Sequence, residues 1–447
     1  MLRLGPTAAW LCVLTRSFVP SASLLRPLTM SALNVDAPQP STEKPRVIVI
    51  AGPTATGKSS VAMSLCKELG GEIVSADSVQ VYRHLDIGSN KAGAADRAAV
   101  PHHLIDICDP TEEYTAGEFV RHAKAAIDDI HSRGLLPVVV GGTMMYVQWL
   151  VGGVPDAPKS DPEVVARVEE ELRPYKEAGD WSGGLAKLAA VNETRAEGLF
   201  ENDWYRLHRS LEITQQTPAP FTGERVRNDN YDFRCIFLMG DRKAAAERIN
   251  DRCITMLAMG LLNEVADLLV SGRLIEGTGP AKAIGYRQAI EYLMREGHQD
   301  QDADAFLQFV DTFASKTRQY AQGQGKWFRS SKGDQFWWAN VDQGSVLDGV
   351  KEVCQLPAAE YQGRLMDQQQ IGLRDENRAQ ARGMRTHVPT FSRLEPKPKR
   401  RKGQQGGDGG ELLVRLLVEA DACTRRVQLC LDNTHCAVEA KHSAVEA

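Results

Sequence analysis

Eight consecutive residues, Gly52-Pro53-Thr54-Ala55-Thr56-Gly57-Lys58-Ser59, fit the pattern G-x-x-x-x-G-K-[ST]. The glycines let the backbone curl so that successive N–H groups and the start of the next helix face a polyphosphate. Lys58 adds a point charge, and the Ser59 hydroxyl can ligate Mg²⁺. The run before it, Arg46 to Ala51, is nearly all β-branched, as a buried parallel strand is, and a helix is expected over Lys58 to Leu69. A phosphate site does not name a reaction, and ATPases, kinases and other transferases share it. A regulatory GTPase would carry N-K-x-D, whereas Asn90-Lys91 is followed by Ala92 and Gly93.

Two more polar residues fall at strand ends. Asp77 closes a second strand expected over Glu72 to Ala76, on the edge of an open α/β sheet where ligands bind, and it suits a base. Capping the next turn or holding Mg²⁺ are its other uses. Thr143 follows a third strand, Pro137 to Val140, through Gly141-Gly142, small residues that admit a ligand or simply make a turn.

These residues need a frame. Strands alternating with helices, one of them near Gly117 to Arg133, predict an α/β fold with a central parallel sheet. From 155 to 230 polar, helix-period sequence replaces the strand signals, so the core should divide into 45–154 and 231–345 around a mainly helical insertion. Phe233 to Met239 returns to the sheet. Helical stretches are expected at Arg242 to Gly272, Ala281 to Arg295 and Ala305 to Arg318, with the body closing near Trp337 to Val341. Residues 358–447, Gln-, Arg- and Gly-rich with a basic run Lys397 to Lys402 and a Gly-rich linker Gly403 to Gly410, read as a partly disordered, locally helical tail.

The 447 residues are 43% hydrophobic and 25% charged, with a formal net charge of -5, so a nucleic-acid partner would need a local basic surface. Nine scattered cysteines without a C-x-x-C pair form neither a disulfide framework nor a zinc site. Residues 1–35 contain no Asp or Glu but do contain Arg3, Arg16 and Arg26 among serines and apolar residues, the pattern of an organelle transit peptide, with mitochondrion ahead of plastid. Met30 offers a second start for a cytoplasmic or nuclear form. No later stretch reaches the roughly 20 apolar residues that span a bilayer.

Ser75-Ala76-Asp77-Ser78-Val79-Gln80-Val81-Tyr82, followed by Asp86-Ile87-Gly88, closely resembles the tRNA dimethylallyltransferase family. Further blocks fit in order: Pro101-His102-His103-Leu104-Ile105-Asp106, Gly141-Gly142-Thr143-Met144-Met145-Tyr146, Asn202-Asp203 with Arg206 and Arg209, and Ala283-Ile284-Gly285-Tyr286. The resemblance runs from about Arg46 to Arg329. It implies a P-loop NTPase-like core and transfer of a dimethylallyl group from its diphosphate to the N6 amine of adenosine 37 in the tRNA anticodon loop, with Mg²⁺ as cofactor and the chain acting as a monomer. Asp77 would then accept the amine proton, with Thr143 hydrogen-bonding at the reaction centre. Thr54, Lys58 and Arg252 would meet the leaving diphosphate, and Gly52 to Ser59 would cradle it with Ser59 on Mg²⁺. Asp77, Ser78, Val79, Gln80 and the block Tyr205, Arg206, Leu207, His208 and Arg209 would contact tRNA, with Ser78 and Gln80 reading the base edge. Arg248, four residues before Arg252 on a polar helix, is expected to face solvent.

The chain also departs from the family. Gln322-Gly323-Gln324-Gly325-Lys326-Trp327-Phe328-Arg329 lacks two of the positive charges usual there, which weakens RNA contact. Cys423, Cys430, His435, Cys436 and His442 do not have the spacing of the zinc finger that some relatives carry. An adenylate isopentenyltransferase acting on free AMP, ADP or ATP is the neighbouring alternative, and a P-loop kinase the distant one.

Overall fold

Val47, Ile48, Val49 and Ile50 place branched apolar side chains on both faces of one segment, which is stable only when both faces are covered. The segment, β1 (Arg46–Ala51), is an interior strand of a six-stranded sheet and is buried from Val47 onward. The computed structural model describes residues 44–217, 225–226, 228–297, 299–329, 335–342, 344–370, 391, 394 and 409–446. The expected transit segment 1–35, the basic run Lys397 to Lys402 and most of the Gly-rich linker lie outside the described residues.

From β1 the chain runs through α1 (Lys58–Leu69), β2 (Gly71–Ser75), α2 (Ala94–Ala99), β3 (His102–His103), α3 (Ala116–Ser132), β4 (Leu136–Gly141), α4 (Met144–Gly152) and β5 (Val154–Pro155). The insertion comprises α5 (Pro162–Ala178), α6 (Trp181–Ala189), α7 (Glu193–Glu197) and α8 (Trp204–Gln216), after which β6 (Arg225–Val226) pairs antiparallel with β5. The chain re-enters the sheet at β7 (Asp232–Met239). It continues through α9 (Arg242–Ala258), α10 (Leu261–Val270), α11 (Gly279–Lys282), α12 (Tyr286–Leu293), α13 (Ala303–Phe328), β8 (Trp337–Asn340), α14 (Val346–Gln355), α15 (Ala358–Gln370) and α16 (Gly409–Glu446). The sheet order is β3-β2-β4-β1-β7-β8, with every pair parallel.

Side-chain caps set the helix starts. Thr115 and Glu118 form a capping box on α3, and Asp161, Asp180, Asn192 and Asp203 each accept a backbone N–H at the start of an insertion helix. The insertion has its own core, built from Val164, Val168, Leu172, Leu188, Leu207 and Leu211. Among the described residues no single helix is long and apolar enough to cross a membrane.

Two expectations need revision. The stretch Arg242 to Gly272 breaks at Gly260, whose φ of 100° suits glycine and ends one helix before the next begins. α13 runs ten residues past Arg318 despite Gly323 and Gly325, because burial of Gln324 and Phe328 outweighs the roughly 1 kcal/mol that each helical glycine costs. The described helices of the tail, α15 and α16, are the local helices expected there, and both pack on the core. On α15, Tyr361 accepts a hydrogen bond from Cys235 N at 2.9 Å, and its ring lies 4.7 Å from the fully buried Arg234 guanidinium. On α16, Leu416, Ala420, Cys423 and Val427 form a buried stripe with spacing i, i+4, i+7, i+11 against the core that includes α10 and α12. That stripe is diluted by polar residues, so bulk composition conceals it.

One edge of the sheet is pinned by Glu72, buried at the start of β2. Its carboxylate takes Arg133 at 2.5 and 2.7 Å and His103 at 2.7 Å. Arg133 foremost, with His103, holds the carboxyl at about 2 against the opposing effect of burial. The folded value is depressed below the ordinary 4.5, so this stability is fully present above pH 4.5 and is lost as pH falls towards 2. Glu72→Gln should lower the unfolding free energy at neutral pH by about 1–3 kcal/mol in urea titrations, with the difference from wild type closing through that acidic window. A pH-independent difference would contradict this role.

Candidate active site

The P-loop leaves β1, Asp77 follows β2 and Thr143 follows β4. These three strands are consecutive neighbours, so all three loops meet at one carboxyl edge. The approach is tight: a Cβ on Gly141 would collide with the Ala76 carbonyl, and one on Gly142 with the Gln324 amide. Together the loops line a cavity of about 560 Å³ with Thr54, Lys58, Ser59, Asp77, Ser78, Val79, Gln80, Thr143 and Arg252 in its wall.

Asp77 Oδ1 accepts hydrogen bonds from Val79 N at 2.9 Å and Gln80 N at 3.3 Å, which is the turn-capping expected of an aspartate here. Oδ2 has no hydrogen-bond partner among the described residues. One oxygen therefore holds the turn while the other is available to a substrate proton. Thr143 Oγ1 accepts from Ser78 N at 3.0 Å and donates to Ser78 Oγ at 3.3 Å, so the reaction-centre hydroxyl is held by the segment that carries Asp77.

Positive charge gathers opposite. Lys58 Nζ donates to Pro53 O at 2.7 Å, within its own loop. Burial of the ammonium, with Arg252 adding repulsion and Asp77 opposing, brings it down to about 7. Arg252 Nη1 donates to Thr54 Oγ1 at 2.9 Å, and burial lowers its pKa against the pull of Asp77. Arg248 keeps 40% of its side chain exposed, as expected of a solvent-facing arginine, while its Nε donates to Ala55 O at 3.1 Å. Both arginines of this face of α9 thus bond atoms of the P-loop. Ala55 itself sits at φ 62°, and Gly52, Pro53, Thr56 and Gly57 complete the loop.

Ser59 is exposed at the first turn of α1, and no group of three or more His, Cys, Asp or Glu side chains among the described residues could hold a metal alone. That donor set suits Mg²⁺ shared with substrate phosphates, an ion that usually keeps several waters and takes few protein ligands.

The expected tRNA contacts divide. Gln80 is already committed, its Oε1 accepting from Ser75 Oγ at 2.9 Å and its Nε2 donating to Ser89 O at 3.1 Å, so its amide shapes the cavity wall rather than standing free to read a base. Tyr205 is 79% exposed, and Arg206, paired with Asp203 at 2.8 Å, is also exposed. Leu207 is fully buried, and its side chain belongs to the insertion's core. His208 bonds Glu212 at 2.6 Å, while Arg209 donates to Ser160 at 2.8 Å and Glu212 at 2.6 Å, ties that hold the insertion together.

Two important groups carried no motif of their own. Glu264 on α10 accepts from the N–H groups of Asp86 at 2.9 Å, Ile87 at 2.7 Å and Gly88 at 3.1 Å, and from Tyr286 at 2.6 Å. It thereby joins the Asp86 to Gly88 and Ala283 to Tyr286 blocks. Gln324 stands in the sequence only as a neighbour of missing charges. It is 2% exposed and bonds two active-site loops.

The family model described as IPP transferase matches residues 80–331, more than half of the chain, and that of isopentenyl transferase matches residues 45–101. The chain belongs to the IPP transferase family. Among relatives, tRNA dimethylallyltransferase 9 of Arabidopsis thaliana is 37% identical over 361 residues, covering 73% of this chain and 77% of the relative. tRNA dimethylallyltransferase 1 of Citrifermentans bemidjiense is 41% identical, covering 67% and 94%. A solved eukaryotic dimethylallyltransferase acting on tRNA is 27% identical with a TM-score of 0.57, over 66% of this chain and 74% of that one. The parallel sheet and P-loop thus stand in this IPP transferase as the family resemblance implied.

An anion in the cradle should recharge Lys58. Its ordinary value is 10.5 and its value in the empty site about 7, so at pH 8 it is mostly neutral, and a bound diphosphate raises it again. Pyrophosphate binding at pH 8 should take up about one proton more in wild type than in Lys58→Met, and the affinity difference should shrink as pH rises above 7. Calorimetry in buffers of different ionisation heat measures this, and equal uptake by both proteins would refute it.

Proposed function

We propose that this IPP transferase moves a dimethylallyl group from dimethylallyl diphosphate to the N6 amine of adenosine 37 of tRNA. The observation that carries the reading is the unpartnered Oδ2 of Asp77 in the same cavity as Lys58 and Arg252. A base and an anion cradle in one cavity suit attack by a protonated nucleophile with departure of a phosphate-type leaving group. The N6–C1 bond forms as the C1–O bond breaks. The amine proton passes to Asp77 Oδ2, and the bonding electron pair leaves with the diphosphate. Charge growing on the diphosphate oxygens meets Lys58, Arg252 and the P-loop N–H groups, already in place before reaction. Thr143, held by Ser78, is placed to hydrogen-bond the acceptor base. Mg²⁺, held by Ser59 and the donor's own phosphates, would supply further neutralisation of the leaving group.

An adenine in a stacked anticodon loop must be extruded to reach Asp77. The helical insertion supports a tRNA acceptor over a free mononucleotide, since Tyr205 offers an exposed stacking face and Arg206 a surface cation. The names of the relatives support the same choice. All these groups lie on one chain, so the reading invokes a monomer. The acid-free, Arg- and Ser-bearing residues 1–35 support delivery to an organelle, with the mitochondrion ahead of the plastid.

Purified protein with dimethylallyl diphosphate and Mg²⁺ should prenylate tRNA and leave AMP and ATP unmodified. Asp77→Asn should lower kcat about 10²- to 10⁴-fold while retaining pyrophosphate affinity. Prenylated AMP without modified tRNA, or near-normal turnover by Asp77→Asn, would overturn the reading.

A further inference from the structure

Donor and acceptor are held by different loops, and the reaction requires a fixed distance between them. The P-loop holds the diphosphate from the end of β1, and the Gly142-Thr143 turn holds the acceptor side from the end of β4. β1 and β4 are bonded along their length as far as Ala51 and Gly141, and beyond those residues the two loops leave the ladder. One side chain spans the gap. Gln324 Oε1 accepts from Thr54 N at 3.0 Å, and Gln324 Nε2 donates to Gly142 O at 2.8 Å. Tyr320, one turn earlier on α13, lines the same cavity as Gln324 and Thr143. Each end of the amide is committed to one of these loops, the side chain is 2% exposed at the cavity wall, and its helix is fixed by Phe309, Phe313 and Phe328.

We propose that Gln324 is a positioning residue for the transfer reaction, setting the span between the leaving-group half of the site and the acceptor half through its two hydrogen bonds to Thr54 and Gly142. Its hydrogen bonds to Thr54 and Gly142 go to the two loops that hold the substrates. Its amide has the one geometry that serves both loops, an oxygen towards an N–H and an N–H towards a carbonyl. No carboxylate can reproduce it, because an ionised Glu would turn a second acceptor towards Gly142 O. A protonated Glu can, since its hydroxyl donates where the amide did. The turn leaves no slack either, as a Cβ on Gly142 would strike the Gln324 amide. Loss of the bridge should loosen alignment while leaving each half able to bind its own ligand, and misplacement by about 1 Å can cost about a hundredfold in rate.

The inference rests on the prenyl-transfer reading, and the test separates the two. Steady-state kinetics with tRNA and dimethylallyl diphosphate should show kcat of Gln324→Ala reduced about ten- to a hundredfold, with both KM values and pyrophosphate affinity within about threefold of wild type. Gln324→Glu should show a pH-dependent rescue, its kcat relative to wild type rising as pH is lowered from about 8.5 to about 6, whereas the Gln324→Ala ratio stays flat. Lys58, Arg252 and Tyr320 face this region in wild type and variant alike, as does the Asp77 carboxylate, so the ratio cancels their shared contribution. If Gln324→Ala does not fold, as judged by its thermal transition, Gln324→Glu carries the test alone. A wild type inactive on tRNA would overturn the function and the inference with it. An active wild type with unaltered kcat in Gln324→Ala, with losses confined to KM, or with a flat Gln324→Glu ratio would overturn the inference only.

Discussion

The backbone contact between the ends of β2 and β4 is what the rest of the site is built on. Ala76 N donates to Val140 O at 2.8 Å and Thr143 N to Ala76 O at 3.3 Å, so the sheet ladder continues into the loops that carry Asp77 and Thr143. Gly141 allows this because it has no side chain to keep Ala76 away. The buried Val and Ile residues of the sheet do no chemistry themselves. They make three neighbouring strands rigid, and the rigidity is passed to the reacting groups through hydrogen bonds within the main chain.

Electrostatics then divides the cavity. Asp77 stands on one side, with Lys58, Arg252 and Arg248 around the P-loop on the other. The resting cradle is poised rather than fully charged, because crowding two buried cations together costs solvation and brings the Lys58 ammonium down to about 7. A diphosphate compensates both cations at once. That difference between empty and loaded site is what an alkyl transfer needs, since its leaving group gains charge as the carbon–oxygen bond breaks.

Support comes from a second layer that is largely acidic and amide in character. Glu264 gathers three successive N–H groups of the Asp86 to Gly88 segment, and Lys91, with its side chain almost wholly buried, ties Tyr82 O, Asp86 and Asp106 together at 2.5 to 2.7 Å. α16 packs on α10, the helix that bears Glu264, and Asn263 beside it bonds Glu419 of α16 at 2.5 Å. The described end of the tail thus packs on the helix whose Glu264 holds Gly88, a residue of the cavity wall.

Local sequence by itself determined the P-loop, the strand before it, the helix after it, the helical nature of the insertion and the positions of Asp77 and Thr143 at strand ends. Each of these depends on residue type and short-range periodicity, which the chain carries without reference to its fold. The tertiary structure decided what lies far apart in sequence. Arg248 bonds Ala55 O of the P-loop across 193 positions, Leu207, His208 and Arg209 are drawn into the insertion's own bonding, and Gln80 is bonded to Ser75 and Ser89. Gln324 meets Thr54 across 270 positions and Gly142 across 182. No local pattern can encode such a meeting, because it exists only once the sheet has brought the two loops together and α13 has been laid across them.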